Sequence, residues 1–355
     1  MDGGAEDERA LDRNASRFAD IEFVPRILRD VSEISTGTTL LGKAIPLPLV
    51  LAPTGFTRIA DPQGELAVAR AAARAGLPYG LSTMGTRSIE EVAAVSTGPK
   101  WFQVYTWRDR SMVQALVERA GAAGYEAIVL TVDTAVLGRR ERDVRRGFSL
   151  PPKIGLETII DGAIHPHWTL DFLRNEPISF ANVVGSGASD GSTAVNLAEY
   201  INSQFDPNLS WSDVAWLRSI WPGPIVLKGI QSVADARLAV EAGVEAIALS
   251  NHGGRQLDSA PAPIDLVGPV AAAVGGQIDI ICDGGVRRGS DIVKVLALGA
   301  TACMIGRPYL YALGAGGERG VDHVLTFFAD GVRQTMALNG VSSIEAIDSE
   351  LVRWR

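Results

Sequence analysis

Eight short apolar runs, at 48–54, 79–84, 101–105, 127–133, 225–228, 246–252, 278–283 and 303–307, recur along this chain of 355 residues. Between them stand segments rich in Ala and Leu, such as 64–75, 111–123, 233–242 and 290–298, with apolar residues three and four positions apart. Strand-like runs alternating with amphipathic helices are the pattern of parallel βα units, and eight of them predict a closed (β/α)8 TIM barrel of the α/β class. A barrel with insertions reaches this length around one core, so residues 1–355 are expected to form a single domain.

The polar residues that end the runs are Thr54, Ser82, Tyr105, Asp133, Lys228, His252, Asp283 and Arg307. Most follow one another at 23 to 31 residues, but Lys228 comes 95 residues after Asp133. An inserted loop after strand 4 is therefore expected at about 151–210, and its Gly/Ser-rich stretch at 185–192 reads as mobile. In such barrels the carboxyl ends of the strands form the active face. Asp, Lys, His and Arg together on one rim exceed what helix capping alone would place there.

The net charge of −8 and the lack of a Lys/Arg stripe argue against nucleic acid as a partner. Cys282 and Cys303 lie in apolar runs, as buried thiols of a reducing compartment would, which predicts a cytoplasmic protein. The acidic opening Asp2–Glu8 has no signal-peptide character, and eighteen apolar residues never run together.

The stretch Ser250-Asn251-His252-Gly253-Gly254-Arg255 is the most informative. His252 ends an apolar strand, and the two glycines after it suit close approach of a substrate to the backbone. A neutral imidazole can take a hydroxyl proton, and the Arg255 fork can bind a carboxylate, a pairing that suits a 2-hydroxy acid. Lys228 also ends an apolar strand and needs an anionic partner there. Asp283-Gly284-Gly285-Val286-Arg287 and Gly306-Arg307 sit after the seventh and eighth strands, where barrels of this kind often bind phosphate. No Gly-x-Gly-x-x-Gly turn marks a nicotinamide site. Arg140 has Arg139 and Arg142 as neighbours, so a solvated charge run is its plainer reading. His165 and His167 have metal-like spacing but lack further ligands, so no metal is expected.

These residues, together with Gly3-Gly4-Ala5-Glu6-Asp7, Ala52-Pro53-Thr54-Gly55, Leu81-Ser82-Thr83, Phe102-Gln103-Val104-Tyr105, Leu130-Thr131-Val132-Asp133-Thr134, Gly138-Arg139-Arg140 and Leu227-Lys228-Gly229, make the chain resemble the FMN-dependent L-2-hydroxy acid oxidase and dehydrogenase family. That family includes glycolate oxidase, lactate oxidase, mandelate dehydrogenase and, closest in appearance, bacterial L-lactate dehydrogenase. The resemblance implies FMN as cofactor, His252 as base, Asp133 bonded to it, and Arg255, Arg140 and Tyr105 on the substrate. It implies Lys228 beside the flavin ring and Pro53, Thr54, Gly55, Ser82, Gln103, Thr131 and Ser250 around it. Asp283, Gly284, Gly285, Arg287, Gly306 and Arg307 would complete the cofactor site. Family members carry a helix with a substrate-binding tyrosine upstream of the Gly-Gly-Ala segment, so either the start lies upstream of Met1 or that substrate contact is absent. Met84 stands where glycolate oxidase has tryptophan.

Gly55, where oxidases of the family carry alanine, leans toward a dehydrogenase that passes electrons to a quinone or another acceptor. The 164–168 and 202–207 segments resemble the loop of lactate dehydrogenases that associate with the inner membrane, which implies peripheral contact with its inner face. A homo-oligomer, a tetramer as in relatives, is the corresponding assembly. Other readings remain open: turnover of a bulkier acid such as mandelate, a flavin-binding barrel without turnover, or a non-redox FMN isomerase.

Overall fold

Side-chain alternation along each strand decides what fills this barrel. The computed structural model describes residues 2–145, 160, 162–183 and 204–355. Its parallel strands are β1 (Leu49–Leu51), β2 (Tyr79–Ser82), β3 (Lys100–Tyr105), β4 (Ala127–Thr131), β5 (Ile225–Ile230), β6 (Ala246–Ser250), β7 (Asp279–Asp283) and β8 (Ala302–Ile305). They close in chain order, with β8 pairing β1 through Ile305 and Leu51.

One set of alternate residues forms an inner cluster: Val50, Trp101, Ala127, Val129, Val226, Ala248, Ile281 and Met304 among them. The other set, including Leu51, Leu81, Phe102, Leu130, Leu227, Leu249 and Ile305, joins the helices in the larger outer core. Small alanines on β4, β6 and β8 make room for the one large inner ring, Trp101. Leu40 and Ile45, from an antiparallel hairpin of Thr38–Leu40 with Lys43–Ile45, complete that cluster and close the amino-terminal end. The Leu41 amide donates to the Asp279 carboxylate at the start of β7, tying the hairpin to the rim.

Several strands stop before the sequence pattern suggests. β1 ends at Leu51 rather than Thr54 because Pro53 has no amide hydrogen for the ladder. β6 ends at Ser250 because His252 turns into the left-handed region at φ 59°. The helices at Glu65–Arg74, Arg110–Ala122, Val233–Glu241 and Gly289–Ala297 match the expected segments to within a residue or two. A 32-residue helix, Arg307–Leu338, follows β8 and breaks its helical geometry at Gly316 and Gly317.

The long interval after β4 contains a helix, Pro166–Arg174, where a loop is expected. Proline at its first turn has the fixed φ that a helix start requires. The Trp168 indole N–H donates to the Ile59 carbonyl at 2.8 Å, which holds this helix against the β1 loop. Farther on, Phe205 bridges to Trp107. The stretch expected to be mobile, 185–192, lies outside the described residues.

Because Trp101 fills the barrel floor between small neighbours, Trp101→Ala should leave a void that alanines cannot close. A loss of about 3–5 kcal/mol is expected in denaturant unfolding; a loss under about 1 kcal/mol would show that the floor repacks.

Candidate active site

The inward set that is apolar at the floor becomes polar at the carboxyl end, where Ser82, Gln103, Thr131, Lys228, Ser250 and Asp283 are all buried. They satisfy one another across the barrel. The Ser82 hydroxyl donates to Gln103 Oε1 at 3.0 Å, and Gln103 Nε2 donates to Thr131 Oγ1 at 3.0 Å. Opposite them, Lys228 Nζ donates to Ser250 Oγ at 3.0 Å and pairs with Asp283 Oδ2 at 2.7 Å, and the Ser250 hydroxyl donates to the same carboxylate at 2.8 Å. The anionic partner of Lys228 is thus a protein residue already in place. Burial alone would lower the lysine's pKa, but Asp283, Asp133 and Tyr105 outweigh it and hold the ammonium above its ordinary value.

The β6 loop places the histidine. His252, Gly253 and Gly254 are all left-handed, with φ 59°, 67° and 76°, a geometry disfavoured for histidine and typical of functional turns. The glycines serve close approach of other parts of the protein, and Gly253 also lines the cavity. A Cβ on Gly253 would lie 2.8 Å from Arg307 Nη1, and one on Gly254 would lie 2.5 Å from the Leu11 amide nitrogen. His252 Nδ1 lies 3.1 Å from Asp133 Oδ1, and the His252 amide donates to Ser250 Oγ at 3.0 Å. Asp133 is 3% exposed and approaches because Gly229, at φ 114°, has no side chain to obstruct it. Gln256 secures the pair, its amide donating to the carbonyls of Asp133 at 2.8 Å and Val136 at 2.9 Å.

Electrostatics fix the proton states. Burial raises and His252 lowers the Asp133 pKa, and with Lys228 the net shift is downward, so the carboxylate is ionised. Burial pushes His252 below its ordinary value despite Asp133, so the imidazole is neutral near pH 7. A neutral ring that donates Nδ1–H to Asp133 keeps Nε2 as an acceptor. Burial, then Asp133, raises the Tyr105 pKa, so its hydroxyl stays protonated.

A cavity of about 450 Å³ opens above this layer. Of the residues singled out in the sequence, Pro53, Thr54, Gly55, Ser82, Gln103, Tyr105, Thr131, Arg140, Lys228, His252, Arg255, Asp283, Gly284, Gly285, Arg287, Gly306 and Arg307 line it. Asp133 and Ser250 stand behind His252 and Lys228 instead. Arg140 lines the cavity, whereas Arg139 is 83% exposed and Arg142 pairs with Asp2 and Glu8. Burial, then the like charges of Arg140 and Arg307, depresses the Arg255 pKa to about 9. Guanidinium groups so crowded favour an anion among them. The Nε atoms of Arg140 and Arg307 are buried without partners among the described residues.

The sequence reading missed Phe56, Phe180, Phe205 and Leu137, which supply the apolar wall. Phe180 and Phe205 come from the insertion, where no periodicity marks an inward face. Tyr309 was also missed: its hydroxyl donates to the Ala52 carbonyl at 2.7 Å and lies 2.6 Å from Thr54 Oγ1, setting the β1 loop. Among the described residues no group of three or more His, Cys, Asp or Glu side chains could hold a metal ion.

Residues 1–354 match the family model described as FMN-dependent dehydrogenase. The chain is 49% identical to a putative L-lactate dehydrogenase of Mycobacterium tuberculosis over 347 residues, covering 98% of this chain and 82% of that protein. It is 45% identical to an L-lactate oxidase of Nostoc sp. over 355 residues, covering 98% and 91%. A crystal structure of the monotopic membrane protein (S)-mandelate dehydrogenase superposes with a TM-score of 0.95 at 40% identity, covering 99% of this chain and 93% of that one.

The buried ion pair generates a test on the protein freed of cofactor. Lys228→Met should leave Asp283 buried without its cation and lower unfolding stability by about 3–5 kcal/mol. Adding Asp283→Asn should recover much of that loss; if the double variant is as unstable as the single one, packing and not charge holds the site.

Proposed function

The chain belongs to the FMN-dependent dehydrogenase family, whose members oxidise 2-hydroxy acids, and on that premise we propose that it oxidises an L-2-hydroxy acid, foremost L-lactate, to the 2-oxo acid. In this reading His252 is the base and the electrons pass to a quinone or a similar acceptor. The observation that carries it is His252, 3.1 Å from the buried Asp133 carboxylate and facing a cavity that also holds Arg140 and Arg255.

The cavity fits FMN. Its polar layer offers the hydrogen-bonding groups a flavin ring needs, and Gly284 (φ 113°) and Gly285 (φ 86°) leave the β7 turn free of side chains. Arg287 and Arg307, with the helix amino terminus at Gly306, form the anion-binding end suited to the phosphate. Lys228 stands where its charge would favour an electron-rich ring. When bound, FMN supplies the two-electron acceptor for the hydrogen on C2 of the substrate.

The protein's own groups account for the rest. Arg255 and Arg140 take the substrate carboxylate, and the protonated Tyr105 hydroxyl donates to it or to the C2 oxygen. His252 Nε2 then receives the C2 hydroxyl proton, and Asp133 stabilises the imidazolium that results. The apolar wall of Phe56, Phe180 and Phe205 excludes water from that transfer. A Cβ on Gly55 would lie 2.9 Å from Met84 Cβ and 3.1 Å from its carbonyl oxygen. The space beside Gly55 is thus taken up by Met84.

The insertion favours peripheral membrane contact as well. Leu170 and Leu173, on the outer face of helix Pro166–Arg174, are 46% and 72% exposed, beside exposed Ile164. No helix among the described residues is long and apolar enough to cross a membrane, so attachment would rest on this apolar face. The structural relative named as monotopic is consistent with that.

His252→Ala should retain FMN yet slow flavin reduction by L-lactate at least ~100-fold, the usual worth of a positioned base; reduction within threefold of wild type would remove His252 from the chemistry. In wild type, kcat/KM should rise with pH through a value below 6.5, since His252 must be neutral and its pKa is depressed. A midpoint above 7 would contradict the environment described. Arg255→Lys should raise KM for the acid more than it lowers kcat, because an ammonium cannot reproduce the bidentate fork; an unaltered KM would reassign the carboxylate to other residues.

A further inference from the structure

A second cleft, of about 380 Å³, lies outside the active cavity, between the β1 loop and helix Pro166–Arg174. Trp168, Asp171, Phe172 and Asn175, spaced three and four apart, present one helix face to it. The rings of Trp168 and Phe172 stack at 5.1 Å and 14°, and both border the cleft as apolar groups. Facing them is Arg58, only 7% exposed. Its Nη2 donates to the Glu176 carbonyl at 2.6 Å, but its Nε is buried with no partner among the described residues. The guanidinium thus keeps one N–H unused at the cleft wall.

The surrounding charges narrow that ligand. Asp61, Asp171 and Glu176 also line the cleft, and three carboxylates disfavour an anion. A neutral, planar molecule bearing carbonyl oxygens satisfies both the stacked rings and Arg58. The outward neighbours Ile164 and Leu173 would accompany an apolar tail toward lipid. The two spaces are neighbours in sequence, since Phe56 of the active cavity stands two residues before Arg58 of the cleft, and Phe180 two residues after Ile178. Phe56 and Phe180 meet edge to face with centroids 4.5 Å apart, and both line the active cavity. One turn of the last helix links the two spaces, Leu310 lining the active cavity and Gly314 the cleft.

We propose that this cleft is the quinone site: the ring lies against Trp168 and Phe172, and a carbonyl oxygen accepts from Arg58. The proposal rests on the reading of a quinone as acceptor. Over the whole cycle the hydroxy acid loses the C2 hydrogen and the hydroxyl hydrogen, its C2–O bond becoming a carbonyl. The quinone gains two electrons and two protons, its two carbonyls becoming hydroxyls.

The test uses holoenzyme reduced with one equivalent of dithionite under nitrogen, so that it does not depend on the acid. The probe is a ubiquinone with one isoprene unit. Trp168→Ala, on a solvent-exposed helix, and Arg58→Gln should each slow re-oxidation by this quinone about tenfold while leaving re-oxidation by ferricyanide unchanged. Calorimetry on oxidised holoenzyme should show a matching loss of quinone affinity. Wild-type rates and affinity in Trp168→Ala would overturn the cleft as the site while leaving the acceptor reading standing. A wild type that neither binds the quinone nor is re-oxidised by it would overturn both.

Discussion

Side chains on a strand point alternately to its two faces, and in a closed parallel barrel that single constraint assigns every strand residue to the interior or to the helices. Apart from Lys100 at the start of β3, the outward set here is apolar, which anchors the helices. The inward set changes character along its length, from Trp101, Val129 and Ile281 at the floor to Gln103, Thr131 and Asp283 at the mouth. A two-residue step along β3, β4 and β7 is therefore a step from core to chemistry. Slipping any of these strands by one residue would turn the polar layer into the helix interface and expose the apolar set to the cavity.

The buried layer is stable because its groups satisfy one another. Ser82, Gln103 and Thr131 form one hydrogen-bonded chain, and Lys228, Ser250 and Asp283 form another. His252 is coupled to the second chain through the Ser250 hydroxyl and to β4 through Asp133. Its proton state follows from both neighbours, since burial and the Lys228 charge disfavour the imidazolium while Asp133 favours it. The imidazole is held neutral, with the Asp133 carboxylate beside it.

Much of this was legible in the sequence because each catalytic candidate ends an apolar run, which fixes its height in the barrel, and because the run spacing fixes the order around it. The eight strands, the helices between them and the rim residues followed from those two regularities. What was not legible depends on contacts distant in sequence. Gly253 and Gly254 read as room for substrate, and the sequence did not show that they also make room for Arg307 and for the helix at Leu11. Lys228 read as awaiting a ligand, yet Asp283 on the next strand but one already pairs with it. Phe180 and Phe205 gave no signal, since an irregular insertion has no periodicity to show which side chains turn inward.

Anaerobic spectroscopy of the purified, FMN-loaded protein tests the central claim most directly. L-Lactate added under nitrogen should bleach the flavin absorbance near 450 nm (roughly, for a bound flavin) and yield one pyruvate per FMN, with L-lactate outpacing (S)-mandelate. An absorbance left unbleached by L-lactate, glycolate and (S)-mandelate alike would contradict the account, because the barrel would then hold the cofactor without the base and arginines acting on a 2-hydroxy acid.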